Sequence, residues 1–72
     1  NEGIELNILE VESTESVLIL ENNSNLKSKI FTKEDKTFFY KFGFQDKKHL
    51  DELVQSIKSI KTINKIDIEY IN

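Results

Sequence analysis

The stretch 37–71 constrains the fold of this chain most, because its pattern predicts a strand, a capped helix and a second strand in succession. Aromatic side chains at every second position predict a strand with one apolar face, and they are Phe38, Tyr40, Phe42 and Phe44. Asp46 follows as the N-cap of a helix over about 47–61. That helix carries one apolar stripe, made of Leu50, Leu53, Val54, Ile57 and Ile60. A final strand over 63–71 completes a β–α–β unit, which predicts a sheet with one dominant helix packed on it.

The first 36 residues predict strands and turns with less definition. Ile4, Leu6 and Ile8 alternate with polar residues and predict a half-buried strand over 4–11. The apolar run at 17–20 fits either a strand or the end of a short helix over 13–21, and both alternatives stay open. Turns at 22–25 and 33–36 flank a weak strand over 26–32. The expected fold is α+β, with a ferredoxin-like βαββαβ sheet preferred; the alternative is a four-strand meander followed by helix and strand.

Length and composition limit the class of protein. Seventy-two residues make a single small domain, residues 1–72. Because the chain begins at Asn1 rather than Met and ends just after a predicted strand, we expect a domain excised from a larger protein. There is no cysteine, which suits a cytoplasmic protein, and no apolar run approaches the length of a membrane span. The expectation is therefore a soluble domain that is not inserted in a membrane.

The sheet face opposite the helix is expected to be partly apolar. If the helix covers Ile4, Leu6 and Ile8 of the first strand, the neighbouring apolar residues of the sheet point the other way. These residues are Leu9, Val11, Phe39 and Ile71. One long helix leaves nothing in so short a chain to cover them. We therefore expect this face to contact a second copy of the chain, as a homodimer, or another domain of the parent protein.

The sequence predicts no independent active site, cofactor site or metal site. His49 is the only histidine, and its nearest acidic neighbour, Asp46, is expected to cap the helix. One histidine without cysteine cannot supply the usual ligands of zinc. The adjacent acids at 34–35 and 51–52 point apart on a strand or helix and are expected to be solvated charges. We therefore expect that the chain is not an enzyme.

The segment 41–44, Lys-Phe-Gly-Phe, is similar to the aromatic strand of RNA-recognition motifs, whose rings stack on bases. The first strand has no aromatic residue to complete such a platform. The chain also carries a net charge of −3 and no arginine, whereas phosphate binding needs a basic surface. RNA binding is therefore the least favoured function considered.

Residues 42–68 resemble the second half of an ACT domain, in particular the C-terminal ACT domain of Rel/SpoT GTP pyrophosphokinases. The matching parts are an acid after a strand, Asp46, then His49-Leu50, an amphipathic helix and a final strand. The C-terminal domain of MgtC-type proteins is similar in the same region. The first half lacks the glycine-containing turn at which ACT domains often bind amino acids. The resemblance implies a non-catalytic regulatory domain that acts by dimerisation or inter-domain contact, or by sensing a small ligand; the alternative is a protein-interaction domain without a ligand.

Overall fold

The computed structural model describes residues 6–24 and 26–70. Within these residues the chain is α+β, with one four-stranded antiparallel sheet and two helices. In chain order the elements are β1 (Asn7–Ser13), α1 (Leu18–Glu21), β2 (Ser28–Glu34), β3 (Thr37–Phe44), α2 (Lys47–Ile57) and β4 (Ile63–Glu69). No helix among the described residues is long and apolar enough to cross a membrane.

The strand order β2-β3-β1-β4 places β1 and β3 at the centre of the sheet. Leu9 lies opposite Phe42 of β3 and Ile68 of β4, and Val11 lies opposite Tyr40 and Ile66. The four-strand meander is wrong, because β1 pairs with β3 and β4 rather than with β2. The apolar run at 17–20 enters α1 and does not join the sheet.

Helix α2 packs against β1 and β3 and begins as its sequence predicts. The Asp46 side chain accepts a hydrogen bond from the Lys48 amide at 2.9 Å, which satisfies one of the free amides of the first turn. Leu50, Leu53 and Ile57 are buried, as the apolar stripe predicts. The helix ends at Ile57, four residues before the predicted end at 61, and Lys58 forms its C-cap. Beyond a turn, Ile60 still packs against the core.

The side of β1 that faces the helices is the opposite of the one predicted. Leu9 and Val11 are 0% and 1% exposed and belong to the core under α2, so their placement on the uncovered face is wrong. Ile8 is half-buried on the other side, and Ile4 lies outside the described residues. The sequence misleads here because 4–8 and 9–11 each offer apolar side chains, one residue out of phase. The pairing of Leu9 with Phe42 decides between them, since a shift of one residue inverts every side chain of a strand.

The hairpin between β2 and β3 turns at residues 35–36, inside the predicted turn at 33–36. Asp35 has a φ of 59°, a left-handed conformation that aspartate tolerates better than most residues. Strand β2 begins at Ser28 and ends at Glu34, each two residues later than in the weak strand expected over 26–32. The described part of the hairpin therefore brings seven residues of β2 against β3.

Candidate interaction surface

Both helices lie on one side of the sheet, because Leu20 of α1 and Leu50 of α2 belong to the same core. The other side, called the open face here, is covered by neither helix. Its residues follow from the strand pairing and include Ile8, Glu10, Glu12, Ser28, Ile30, Thr32, Phe39, Lys41, Gly43, Lys65, Asp67 and Glu69. Ile8 and Phe39 are half-buried, and Ile30 is 57% exposed. An open depression of about 270 Å³ lies among these side chains.

Charges of both signs alternate across the open face. The Lys41 ammonium lies 3.7 Å from the Glu10 carboxylate on the neighbouring strand. Lys65 lies 3.4 Å from Asp67 and 4.0 Å from Glu12. Exposed pairs of this kind contribute about 0–1 kcal/mol each to stability. Lys41 lies between Ile30 and Glu10 across the sheet, so these charges are interspersed with the apolar side chains of the face rather than arranged around them.

At one end of the open face, the side chains of Leu6 and Ser28 lie close to Gly43. A Cβ atom at Gly43 would lie 2.7 Å from the Ser28 hydroxyl and 3.1 Å from a methyl carbon of Leu6. A larger residue here would therefore have to displace the Ser28 hydroxyl and the Leu6 methyl group, both of which lie at the ends of their side chains. Ile8, opposite Gly43, is an apolar residue of this end, whereas Ile30 and Phe39 lie farther along the sheet.

Of the four residues predicted to form an interaction site, the structure places one on the open face. Phe39 lies there, between Thr32 and Glu12 of the adjoining strands. Leu9 and Val11 are in the core instead, and Ile71 lies outside the described residues. An interaction role for this face stays a prediction, now with Phe39, Ile30 and Ile8 as its apolar members.

The sequence predicted a weak strand over 26–32, but not that this strand, β2, forms an edge of the sheet with two exposed apolar side chains. Ile30 is 57% and Phe31 46% exposed, on opposite sides of the strand. The Phe31 ring stacks on Tyr40 at 4.9 Å between centroids and on Phe38 at 6.1 Å. The signal in the sequence was an adjacent Ile-Phe pair inside a predicted weak strand flanked by lysines.

Helix α1 is a single turn held to the sheet by the Tyr40 hydroxyl. This hydroxyl accepts a hydrogen bond from the Val17 amide at 3.0 Å and donates one to the Glu21 carboxylate at 2.6 Å. Ser16 also donates to that carboxylate, at 2.7 Å. The bonds from Tyr40 and Ser16, in that order, lower the pKa of Glu21. Burial first, and the bond to Glu21 second, raise the pKa of Tyr40.

His49 lies at the start of α2, beside a second depression shared with Asp46 and Lys27. Its Nδ1 is 3.7 Å from a carboxylate oxygen of Asp46. The other oxygen of Asp46 caps the helix, so this carboxylate holds the helix end as the sequence predicts. Within residues 6–24 and 26–70, no three histidine, cysteine or acidic side chains gather as a metal site.

The aromatic residues of the segment 41–44 face the helices. Phe42 and Phe44 are 0% exposed and lie in the core, so their rings cannot stack on bases. The open face carries Phe39 together with the acids Glu10 and Glu12. Acidic side chains at the centre of the sheet repel a phosphate backbone. The arrangement favours a protein surface over a nucleic acid as the ligand of this face.

Comparison with known proteins was made for the whole chain. No protein-family model matches it. A search of curated protein sequences finds no match either.

Proposed function

We propose that this chain is a non-catalytic domain that acts by association, either as a homodimer or against another domain of its parent protein. The open face carries this proposal, because neither helix covers Ile8, Phe39 and Ile30. Covering apolar surface of this kind is favourable by about 25 cal/mol per Å² removed from water. Charged side chains of both signs lie beside these residues and can pair with opposite charges on a partner surface.

The finer assignment proposed is a ferredoxin-like sheet in an ACT-like regulatory domain of a cytoplasmic protein. Element order supports it, since the central strands β1 and β3 each lead through a helix to an edge strand. Asp46 and His49, on which the resemblance to ACT domains rests, lie at the start of α2 with Asp46 as its cap. The cytoplasmic setting rests on the absence of cysteine alone.

Sedimentation equilibrium tests dimerisation, with the chain measured from micromolar to millimolar concentration. We expect a reversible dimer that Phe39→Thr weakens about tenfold or more, because an aromatic side chain is worth about 1.5–3 kcal/mol when fully buried. Phe31→Thr is the matched control, since it removes the same ring from the helix side of the sheet. A monomer at every concentration contradicts dimerisation, and a dimer unaffected by Phe39→Thr contradicts the open face as its interface.

A thermal-shift screen separates a sensing domain from a pure interaction domain. A ligand that binds only the folded state stabilises it by RT ln(1 + [L]/Kd). Small-ligand sensing predicts a rise in Tm with at least one amino acid or nucleotide, growing with its concentration. A flat response across the screen favours the interaction domain without a ligand.

A further inference from the structure

Strand β2 forms one edge of the sheet and is exposed along its whole length. All seven residues, Ser28–Glu34, are exposed, and in the described structure the strand pairs with β3 on one side only. An edge strand presents backbone amides and carbonyls on its free side, which can pair with a further strand. The backbone of β2 can therefore pair with an extended segment, and the side chains of β2 determine which segment fits.

The side chains on the helix side of β2 are two lysines with an aromatic residue between them. Lys29, Phe31 and Lys33 share this side, because alternate residues of a strand point the same way. The Lys29 ammonium donates a hydrogen bond to the backbone carbonyl of Glu21. The Lys33 ammonium lies 5.2 Å from the centroid of the Phe38 ring. Both positive charges are therefore held near the strand and beside an aromatic surface.

The rings of Phe31, Phe38 and Tyr40 form that surface, called the aromatic shelf here. The Phe31 and Tyr40 rings are nearly parallel, with 12° between their planes, and Phe31 is 46% exposed. Helix α1 has only four residues, so the shelf stays open to solvent at Phe31. At the opposite edge the matching aromatic, Tyr70, donates a hydrogen bond to Asp51 of α2 at 2.6 Å. The β2 edge is thus the one left without a long helix beside it.

A second copy of the chain is poorly matched to this edge. Full-length antiparallel pairing of two β2 strands centres on Phe31 and sets Lys29 opposite Lys33 of the second copy. Like charges directly opposite each other destabilise a strand pair. Residues 27–36 contain four lysines against Glu34 and Asp35, although the whole chain has a net charge of −3. A basic edge of this kind is complementary to an acidic strand.

We propose that the β2 edge binds an extended acidic segment of another protein, which adds to the sheet as an antiparallel strand. The segment carries acids opposite Lys29 and Lys33, and an apolar or aromatic residue opposite Phe31. Main-chain hydrogen bonds supply affinity and the alternate side chains supply selectivity. This inference goes beyond the proposed function, because it concerns the sheet edge and a different partner.

The test is a titration of the ¹⁵N-labelled chain with a blocked peptide, Thr-Glu-Thr-Phe-Thr-Glu-Thr, followed by amide shifts. We expect saturable shifts along residues 28–34, with residues 63–69 of the other edge unaffected. The control peptide Thr-Lys-Thr-Phe-Thr-Lys-Thr should bind about 3- to 20-fold more weakly, from two cross-strand charge pairs. The double variant Lys29→Glu, Lys33→Glu should reverse this preference, and Phe31→Thr should weaken both peptides.

Equal binding of the two peptides, shifts centred on Phe39, or no saturation at millimolar peptide would each overturn the proposal. Amide shifts at Lys29, Phe31 and Lys33 that grow with the concentration of the chain alone, without shifts at Ile8 and Phe39, would show a second copy at this edge, which also overturns it. The dispersion of the amide spectrum shows whether each variant is folded. Sedimentation of the peptide-free chain reports on the open face, so failure of either proposal is seen without reference to the other.

Discussion

The two helical connections of this sheet differ in how much of it they cover. Each starts from a central strand and ends at an edge strand, but α2 has eleven residues and α1 has four. Asp46 caps α2 with its side chain, whereas the N-cap residue of α1, Val17, makes no side-chain capping bond. α2 therefore covers its half of the sheet, and α1 leaves β2 with Phe31 exposed. Helix length decides which part of the helix side of this sheet stays exposed.

Helix α1 is short, and polar contacts help to hold it on the sheet. Tyr40 binds the Val17 amide and the Glu21 carboxylate, so one hydroxyl holds both ends of the turn. Leu20 is the apolar anchor of the turn and is 0% exposed. α2 is held by three buried side chains of one stripe, Leu50, Leu53 and Ile57. A single turn can be stable here because the sheet, rather than its own length, fixes it.

The largest predicted effect compares the apolar anchors of the two helices. Leu50→Ala should reduce the free energy of unfolding by about 2–5 kcal/mol, because α2 cannot move in to fill the cavity. Leu20→Ala should lie at the lower end of that range, because a single turn can shift toward the sheet. Urea unfolding measures both. An equal loss of unfolding free energy in the two variants would contradict the view that α1 shifts to fill a cavity more easily than α2.

The next effect compares two tyrosine hydroxyls. Tyr40→Phe should cost about 1–3 kcal/mol, because it leaves the Val17 amide without its partner in a buried position. Tyr70→Phe is the matched control on the α2 side, where the hydroxyl binds Asp51 at the surface, and should change stability by less than about 0.5 kcal/mol. Urea unfolding of the two variants is the measurement. Similar losses would mean that the Tyr40 hydroxyl does not hold α1.

A smaller effect is expected at the cap of α2. Asp46→Ala should cost about 1 kcal/mol, because the Lys48 amide loses its acceptor. Asp46→Ser keeps a capping oxygen and should retain most of the stability. Thermal unfolding by circular dichroism compares the variants. If Asp46→Ser loses as much as Asp46→Ala, the contribution of Asp46 is not that of a cap.

The smallest predicted effect is on the pH dependence of stability, which reports on the hydrogen bond between Tyr40 and Glu21 of α1. The lowered pKa of Glu21 means that its contribution is present above the pKa of an unfolded glutamate and is lost as pH falls through the folded value. The raised pKa of Tyr40 means that its contribution is present below about pH 10 and is lost as pH rises through the folded value.

Urea midpoints from acidic to alkaline pH should therefore fall at both ends. Glu21→Gln should flatten the acidic fall, and Tyr40→Phe the alkaline fall. Tyr70 also has a raised pKa, from its bond to Asp51, so the alkaline comparison is made with Tyr70→Phe as the parent. An alkaline fall unchanged by Tyr40→Phe would contradict the part assigned to its hydroxyl.

Sequence patterns predict the α2 half of the molecule well. Alternate aromatics in β3, the cap at Asp46 and the stripe from Leu50 to Ile57 are local signals of regular period, and the structure agrees with each. The helix end was placed too late because Ile60 continues the stripe, although it packs on the core from beyond the helix. In this half of the molecule the local sequence pattern and the tertiary packing favour the same structure, so the pattern alone predicts it.

The α1 half depends on contacts between distant residues. The side of β1 is chosen by pairing with β3, because Ile8 and Leu9 are equally apolar. Whether the run at 17–20 forms a helix depends on Tyr40, some twenty residues later in the chain. The exposure of Phe31 depends on the shortness of α1. These contacts join residues that are distant in the chain, so no periodic pattern in a single sequence reveals them.

The central claim is that this domain associates through the sheet surface that its helices do not cover. The most direct measurement is a series of ¹H–¹⁵N spectra of the chain from micromolar to millimolar concentration. We expect progressive amide shifts at Ile8, Ile30 and Phe39, while the amides of α2 stay in place. Spectra that do not change, with the relaxation of a monomer throughout, would contradict association of the chain with itself; shifts centred on α2 would contradict the surface.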